Sequence, residues 1–76
     1  MRLYIKIGQL IYSKNMTVVA FAKKAGLPLS TLTGILEGKH TKNMSLRTTL
    51  AIADALEISI YELIRGTEYE TKNAHL

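Results

Sequence analysis

Three side chains that follow Pro28 have types and spacing suited to recognising another molecule. Leu29, Ser30 and Thr33 fall at i, i+1 and i+4, which predicts one exposed side of a helix. The outward positions of this predicted helix are Leu29, Ser30, Thr33, Gly34 and Glu37, with Thr31 on its flank. The opposite stripe is apolar and consists of Leu32, Ile35 and Leu36. Ser30 and Thr33 can donate and accept hydrogen bonds, and Leu29 offers an apolar contact.

A polar stretch with two cations comes directly after this predicted helix. Lys39 and Lys42 could bind anionic groups, and Asn43 could donate a hydrogen bond. The alternative is that both lysines are ordinary solvated side chains. His40 has no second group of ligands near it in the sequence, so we predict neither a metal site nor a cofactor.

The charge of the chain is unevenly distributed along its length. Residues 1–50 carry eight lysine or arginine residues and one glutamate, a net charge of +7. Residues 51–76 carry two basic residues and five acidic ones, a net charge of −3. A basic region of this kind is typical of proteins that bind phosphate groups, although solvated lysines on helix surfaces give the same composition.

Length and composition limit the classes of protein to consider. Seventy-six residues predict a single domain, and 47% apolar residues are enough for one small core. The chain has no cysteine, so disulfides and thiolate metal sites are excluded. No apolar run has the length of a membrane span, and no signal peptide opens the chain, so we expect a cytoplasmic protein. No enzyme signature is present, and we expect no catalytic activity.

Hydrophobic periodicity predicts an all-α fold of five short helices. The expected ranges are residues 2 or 3 to 13, 18–25, 28–37, 46–56 and 60–65. Thr17, Ser45 and Ser59 precede three of these ranges and are predicted N-caps. The predicted inward stripe of the fourth helix is Leu46, Leu50, Ala53 and Leu56, widened by Ile52. We predict a domain at residues 1–66 and a flexible tail at residues 67–76.

The spacing within residues 17–38 predicts two helices joined by a tight turn. Ala22 is small enough for a close approach of the helices, and Gly26, four residues later, tolerates the left-handed backbone of the corner. Leu32 and Ile35 then return to a shared core. This stretch, TVVAFAKKAGLPLSTLTGILEG, resembles the helix-turn-helix of the Cro and phage-repressor (XRE) family. SLRTTLAIADALEISIYEL (residues 45–63) is similar to that family's fourth and fifth helices.

The resemblance implies a lambda-repressor-like bundle with the helix-turn-helix at helices 2 and 3. In that family the residues matching Leu29, Ser30, Thr33 and Gly34 face the bases of the DNA major groove. The implied phosphate contacts are Thr17, Val18, Thr31, Lys39, Lys42 and Asn43. Val18 lies where the family often has a glutamine; it has no side-chain donor, but the helix N-terminus offers backbone N–H groups.

The resemblance also implies a function and a set of partners. The leading hypothesis is a sequence-specific DNA-binding regulator, a repressor, that acts on double-stranded DNA as a homodimer. Ile60, Tyr61 and Ile64 are candidates for the dimer contact, although they could instead complete the monomer core. The alternatives are an antitoxin or another protein-interaction module with the same fold, whose partner would be a toxin or an antirepressor.

Overall fold

The computed structural model describes residues 1–39 and 44–70, and within them it contains five α-helices and no strand. The helices are α1 (Leu3–Ser13), α2 (Val18–Ala25), α3 (Leu29–Leu36), α4 (Leu46–Ala55) and α5 (Ile60–Ile64). The predicted all-α fold is therefore confirmed, with boundaries within about one residue of those expected. No helix in the described ranges combines the length and the apolar content that crossing a bilayer requires.

The three predicted N-caps are present and start helices α2, α4 and α5. The hydroxyl oxygens of Thr17, Ser45 and Ser59 accept hydrogen bonds from the backbone N–H three residues later, at 3.0 to 3.1 Å. Each bond satisfies one N–H group that the helix itself leaves without an acceptor. These starts are consequently fixed by residues adjacent to the helices in sequence.

The turn between α2 and α3 depends on Gly26. Its φ of 71° is left-handed, and a Cβ atom there would meet nothing within 4 Å. The N–H of Leu27 donates to the carbonyl of Ala22 at 2.9 Å, so the chain reverses directly into α3. The predicted corner glycine is confirmed.

A single hydrophobic core joins the helices. Phe21 and Leu32 are completely buried between α2 and α3, and Ala22 is almost so, as its predicted place at the helix crossing requires. The buried apolar residues are Leu3, Ile7, Ile11, Phe21, Ala22, Leu32, Ile35, Ile52, Ala53, Ala55, Leu56 and Leu63. The core thus fixes the angle at which α3 leaves α2.

The inward stripe of α4 differs from the prediction. Leu46 and Leu50 are exposed, whereas Ile52, Ala53 and Leu56 are buried. The buried side of α4 also includes Ala55, and the small alanines allow α4 to approach α2 closely. The predicted stripe is therefore wrong at its first two positions and leaves two leucines available to solvent.

The segment after α5 contacts the start of the chain. Glu68 Oε1 accepts a hydrogen bond from the N–H of Leu3 at 2.6 Å, and the N-terminal ammonium of Met1 donates to the carbonyl of Gly66 at 3.1 Å. Thr67 is only 7% exposed. The start of α1 has no cap from its own preceding residue, and the C-terminal segment supplies one. The flexible tail at residues 67–76 stays a prediction, and residues 71–76 lie outside the described part.

Two glycines of the α1–α3 contact have different surroundings. A Cβ at Gly8 would lie 3.9 Å from Leu36 Cδ2, an ordinary contact, so packing alone does not require glycine there. Gly38 has a φ of 82°, and a Cβ there would lie 3.1 Å from Tyr4 Cε1. Only Gly38 is required by both conformation and space.

Candidate functional site

The outer side of α3 carries three of the predicted contact residues. Leu29, Ser30 and Thr33 are all exposed, and Leu32 and Ile35 lie inward as predicted. Leu29 is 46% exposed and does not belong to the core. We call these three residues the α3 face.

Gly34 is not part of the α3 face. The structure places it among the buried residues of α3, next to the core residue Ile35, and its carbonyl accepts a hydrogen bond from the N–H of Lys39 at 2.9 Å. Without a side chain, Gly34 offers no side-chain group to solvent. The prediction that Gly34 points outward is wrong.

The two hydroxyl groups of the α3 face differ in their hydrogen bonding. Thr33 Oγ1 lies 2.8 Å from the carbonyl of Leu29, and because a carbonyl only accepts, the Thr33 hydrogen is used within the helix. The hydroxyl of Ser30 has no protein partner among residues 1–39 and 44–70. Thr33 therefore presents an acceptor and a methyl group, whereas Ser30 can both donate and accept.

The start of α2 offers donors for an anion. Thr17 Oγ1 accepts from the N–H of Ala20 at 3.1 Å, which leaves its hydroxyl hydrogen free. The N–H groups of Val18 and Val19 have no acceptor within the described part of the chain. No acidic residue lies in the first turn of α2, so its positive end is not neutralised locally.

The predicted contacts after α3 are only partly described. Lys39 is exposed, with its ammonium 3.0 Å from Glu37 Oε1, and the pair lies at the surface. Thr31 is half-buried on the flank of α3. Lys42 and Asn43 lie outside the described residues, so their predicted contacts stay predictions.

Two cations of the basic region have structural partners, which the sequence did not reveal. Lys6 Nζ donates to the carbonyls of Glu62 and Arg65, each at 2.6 Å, and so closes the end of α5. Lys24 Nζ lies 3.1 Å from Glu57 Oε2. This hydrogen bond, the charge of Lys24 and the charge of Lys14 lower the pKa of Glu57 from its ordinary value.

Two further cations have no acidic partner within the described ranges. They are Lys23 at the end of α2 and Arg47 at the start of α4. The sequence alone does not distinguish them from the paired lysines, because the partners of those lysines are distant in the chain. Their charge remains available to an external anion.

A second surface at α4 and α5 is apolar. Tyr61, Leu46 and Leu50 are exposed, and Ile60 and Ile64 are half-buried. Leu63, not one of the three predicted candidates, is the α5 residue that completes the monomer core. A groove beside α5 is lined mainly by apolar side chains, namely Leu3, Met44, Leu46, Thr49, Ile60, Ile64 and Tyr69.

Comparison with known proteins identifies one family. The model of the Cro/C1-type HTH DNA-binding domain matches residues 6–68, most of the chain. The match covers all five helices except the first three residues of α1, and it extends into the segment that caps α1. No curated protein matches the chain.

Proposed function

Because the chain belongs to the Cro/C1-type helix-turn-helix DNA-binding domain family, we propose that it is a sequence-specific transcriptional repressor. In this proposal α3 enters the major groove of double-stranded DNA in the cytoplasm. The observation that carries it is the α3 face: Leu29, Ser30 and Thr33 protrude from a helix whose other side is fixed in the core. Such a rigid, exposed helix is what base-edge contacts need.

The phosphate contacts in this proposal come from the two sides of the α3 face. The hydroxyl of Thr17 and the free N–H groups of Val18 and Val19 meet one phosphate at the positive end of α2. Thr31 on α3 and Lys39 in the turn after it contact the DNA backbone. Lys39 leaves its ion pair with Glu37 and binds a phosphate instead. Lys42 and Asn43 extend this contact, as the sequence predicts.

Repression in this proposal needs two copies of the chain. The exposed Tyr61, Leu46 and Leu50 support a homodimer through the α4–α5 surface. A two-fold dimer places two α3 helices on half-sites about one DNA turn apart. A bound dimer on a promoter then excludes the polymerase.

Selection of bound duplexes from a random DNA pool tests the proposal. We expect an enriched site with two-fold symmetry, with binding that weakens steeply as salt rises because phosphate contacts release counterions. Lys39→Ala should weaken binding to all sequences alike and lower the salt slope by about one. Ser30→Ala should instead change the ranking of sites.

Arg65→Ala is a matched control for Lys39→Ala. Both side chains are 69% exposed and both lie beside a glutamate, but Arg65 belongs to the acidic region. We expect Arg65→Ala to bind DNA like the parent. Equal losses in both variants would show that only net charge matters, and enrichment of no duplex would contradict the proposed function.

The alternative function is a protein-interaction module, such as an antitoxin bound to its toxin or a partner of an antirepressor. The groove beside α5 and the exposed Leu46 favour it, since both offer apolar contacts. Co-purification of a second small protein, lost in Leu46→Asp while DNA binding persists, is the result expected from this alternative.

A further inference from the structure

The α3 face has an unusual set of chemical groups for a helix that reads bases. Helix α3, LSTLTGIL, contains no lysine, arginine, asparagine, glutamine or acid. The bidentate pairs that distinguish guanine and adenine are therefore absent from it. What remains exposed is the isobutyl group of Leu29, the free hydroxyl of Ser30, and the acceptor and methyl of Thr33.

The hydrogen-bonding capacity of this face is small. The hydroxyl of Thr33 donates to the carbonyl of Leu29 at 2.8 Å, so Ser30 is the only side-chain donor on the α3 face. A single rotatable hydroxyl accepts and donates, and so discriminates weakly among base pairs. Selectivity from α3 must therefore come largely from its apolar atoms.

Leu29 provides that apolar contact. It is the largest side chain of the face and is 46% exposed in the free protein. Among the base edges of the major groove, the C5-methyl group of thymine is the largest apolar group. Burying an aliphatic side chain against that methyl removes both from water, whereas a polar base edge under Leu29 would lose its hydration without gaining a partner.

We propose that Leu29 makes this protein a reader of pyrimidine C5-methyl groups: it selects thymine, and equally 5-methylcytosine, at one position of each half-site. This inference rests on the proposed function and names the feature of the DNA that the α3 face selects. The proposed function makes duplex DNA the ligand, and the net charge of +7 over residues 1–50 suits its phosphates.

The experiment uses the full chain and its selected duplex at one fixed salt concentration. Each thymine is replaced in turn by uracil, which removes only the methyl group. We expect binding about fourfold weaker at the position under Leu29, the effect of one buried methyl-sized group, and little change elsewhere. At that position, 5-methylcytosine should bind more tightly than cytosine by a similar factor.

Leu29→Ala should abolish both differences. The matched control is Leu50→Ala, because Leu50 is 47% exposed but lies on α4. Its overall affinity can change, yet its ratio of thymine to uracil binding should equal that of the parent. Ser30→Ala should also retain this ratio.

Two results would overturn the inference while leaving the proposed function intact. One is equal binding of every uracil duplex and its thymine counterpart by the parent. The other is a thymine preference that persists in Leu29→Ala, which would assign it to another residue. If no duplex is enriched from the random pool, the proposed function itself fails.

Discussion

The α2–α3 unit and the junction between α1 and α5 are held together in opposite ways. In the α2–α3 unit the stabilising bonds are local: Thr17 caps α2 three residues away, and Gly26 makes the turn. At the junction, Lys6 bonds to α5 and Glu68 bonds to α1 across 56 to 65 residues of chain. Residues within the α2–α3 unit, which we call the motif, form its cap and its turn. The α1–α5 junction, which we call the frame, depends on contacts between distant parts of the chain.

Loss of Lys6 should have the largest effect on the frame. Lys6→Met keeps an unbranched side chain but removes two charge-assisted hydrogen bonds to the end of α5, so we expect unfolding to become easier by about 2 kcal/mol. Chemical denaturation measures this change. Lys23→Met is the control, since Lys23 has no partner in the described ranges, and an equal loss there would contradict the capping role.

Paired cap removals compare the two regions directly. Glu68→Ala removes the distant cap of α1, and Thr17→Ala removes the local cap of α2, so each should cost about 1 kcal/mol. Amide hydrogen exchange should then differ: Glu68→Ala should speed exchange in the first turn of α1, and Thr17→Ala in that of α2. Faster exchange in α2 in both variants would mean that the regions are not independent.

Gly8→Ala should stabilise α1 and its contact with α3. The new methyl fits at 3.9 Å from Leu36, and alanine suits a helix interior, so we expect stabilisation by about 0.5–1 kcal/mol. Thermal unfolding measures it. Gly38→Ala is the opposite case because of its positive φ and the ring of Tyr4, and it should destabilise. A loss of stability in Gly8→Ala would show that α1 and α3 pack more tightly than described.

The smallest effect concerns the Lys24–Glu57 pair, which links the motif to the turn after α4. Lys24 holds the pKa of Glu57 below its ordinary value of 4.5, so the pair stabilises the folded state above that pH and loses its effect as pH falls through the lowered pKa. Both groups are solvent-accessible, and the gain is small. Melting temperatures of the parent and Glu57→Gln should therefore converge as the pH falls below the lowered pKa of Glu57, whereas a constant difference would exclude this ion pair.

The same distinction explains what could be predicted from the sequence. Thr17, Gly26 and the stripe of Leu32 and Ile35 act over a few residues, so the motif was predictable from spacing. The role of Glu68 required knowing that the two ends of the chain meet, and no local pattern encodes that.

Errors at the candidate site have a similar cause. The helical period alone predicts that Gly34 points outward, whereas the structure buries it. The partners of Lys6 and Lys24 are distant in sequence. Side-chain type and helical period identify which residues share one side of a helix. They do not identify which of those residues another helix buries.

The independence of the α3 face from the core has a consequence for engineering. Leu29, Ser30 and Thr33 project from a helix that is anchored through Leu32 and Ile35, so their replacement leaves the buried contacts intact. Longer side chains grafted at these three sites, such as arginine or glutamine, would supply the bidentate donors that the natural helix lacks. Substitutions at these three positions can therefore change the operator preference of the domain with little loss in its free energy of unfolding.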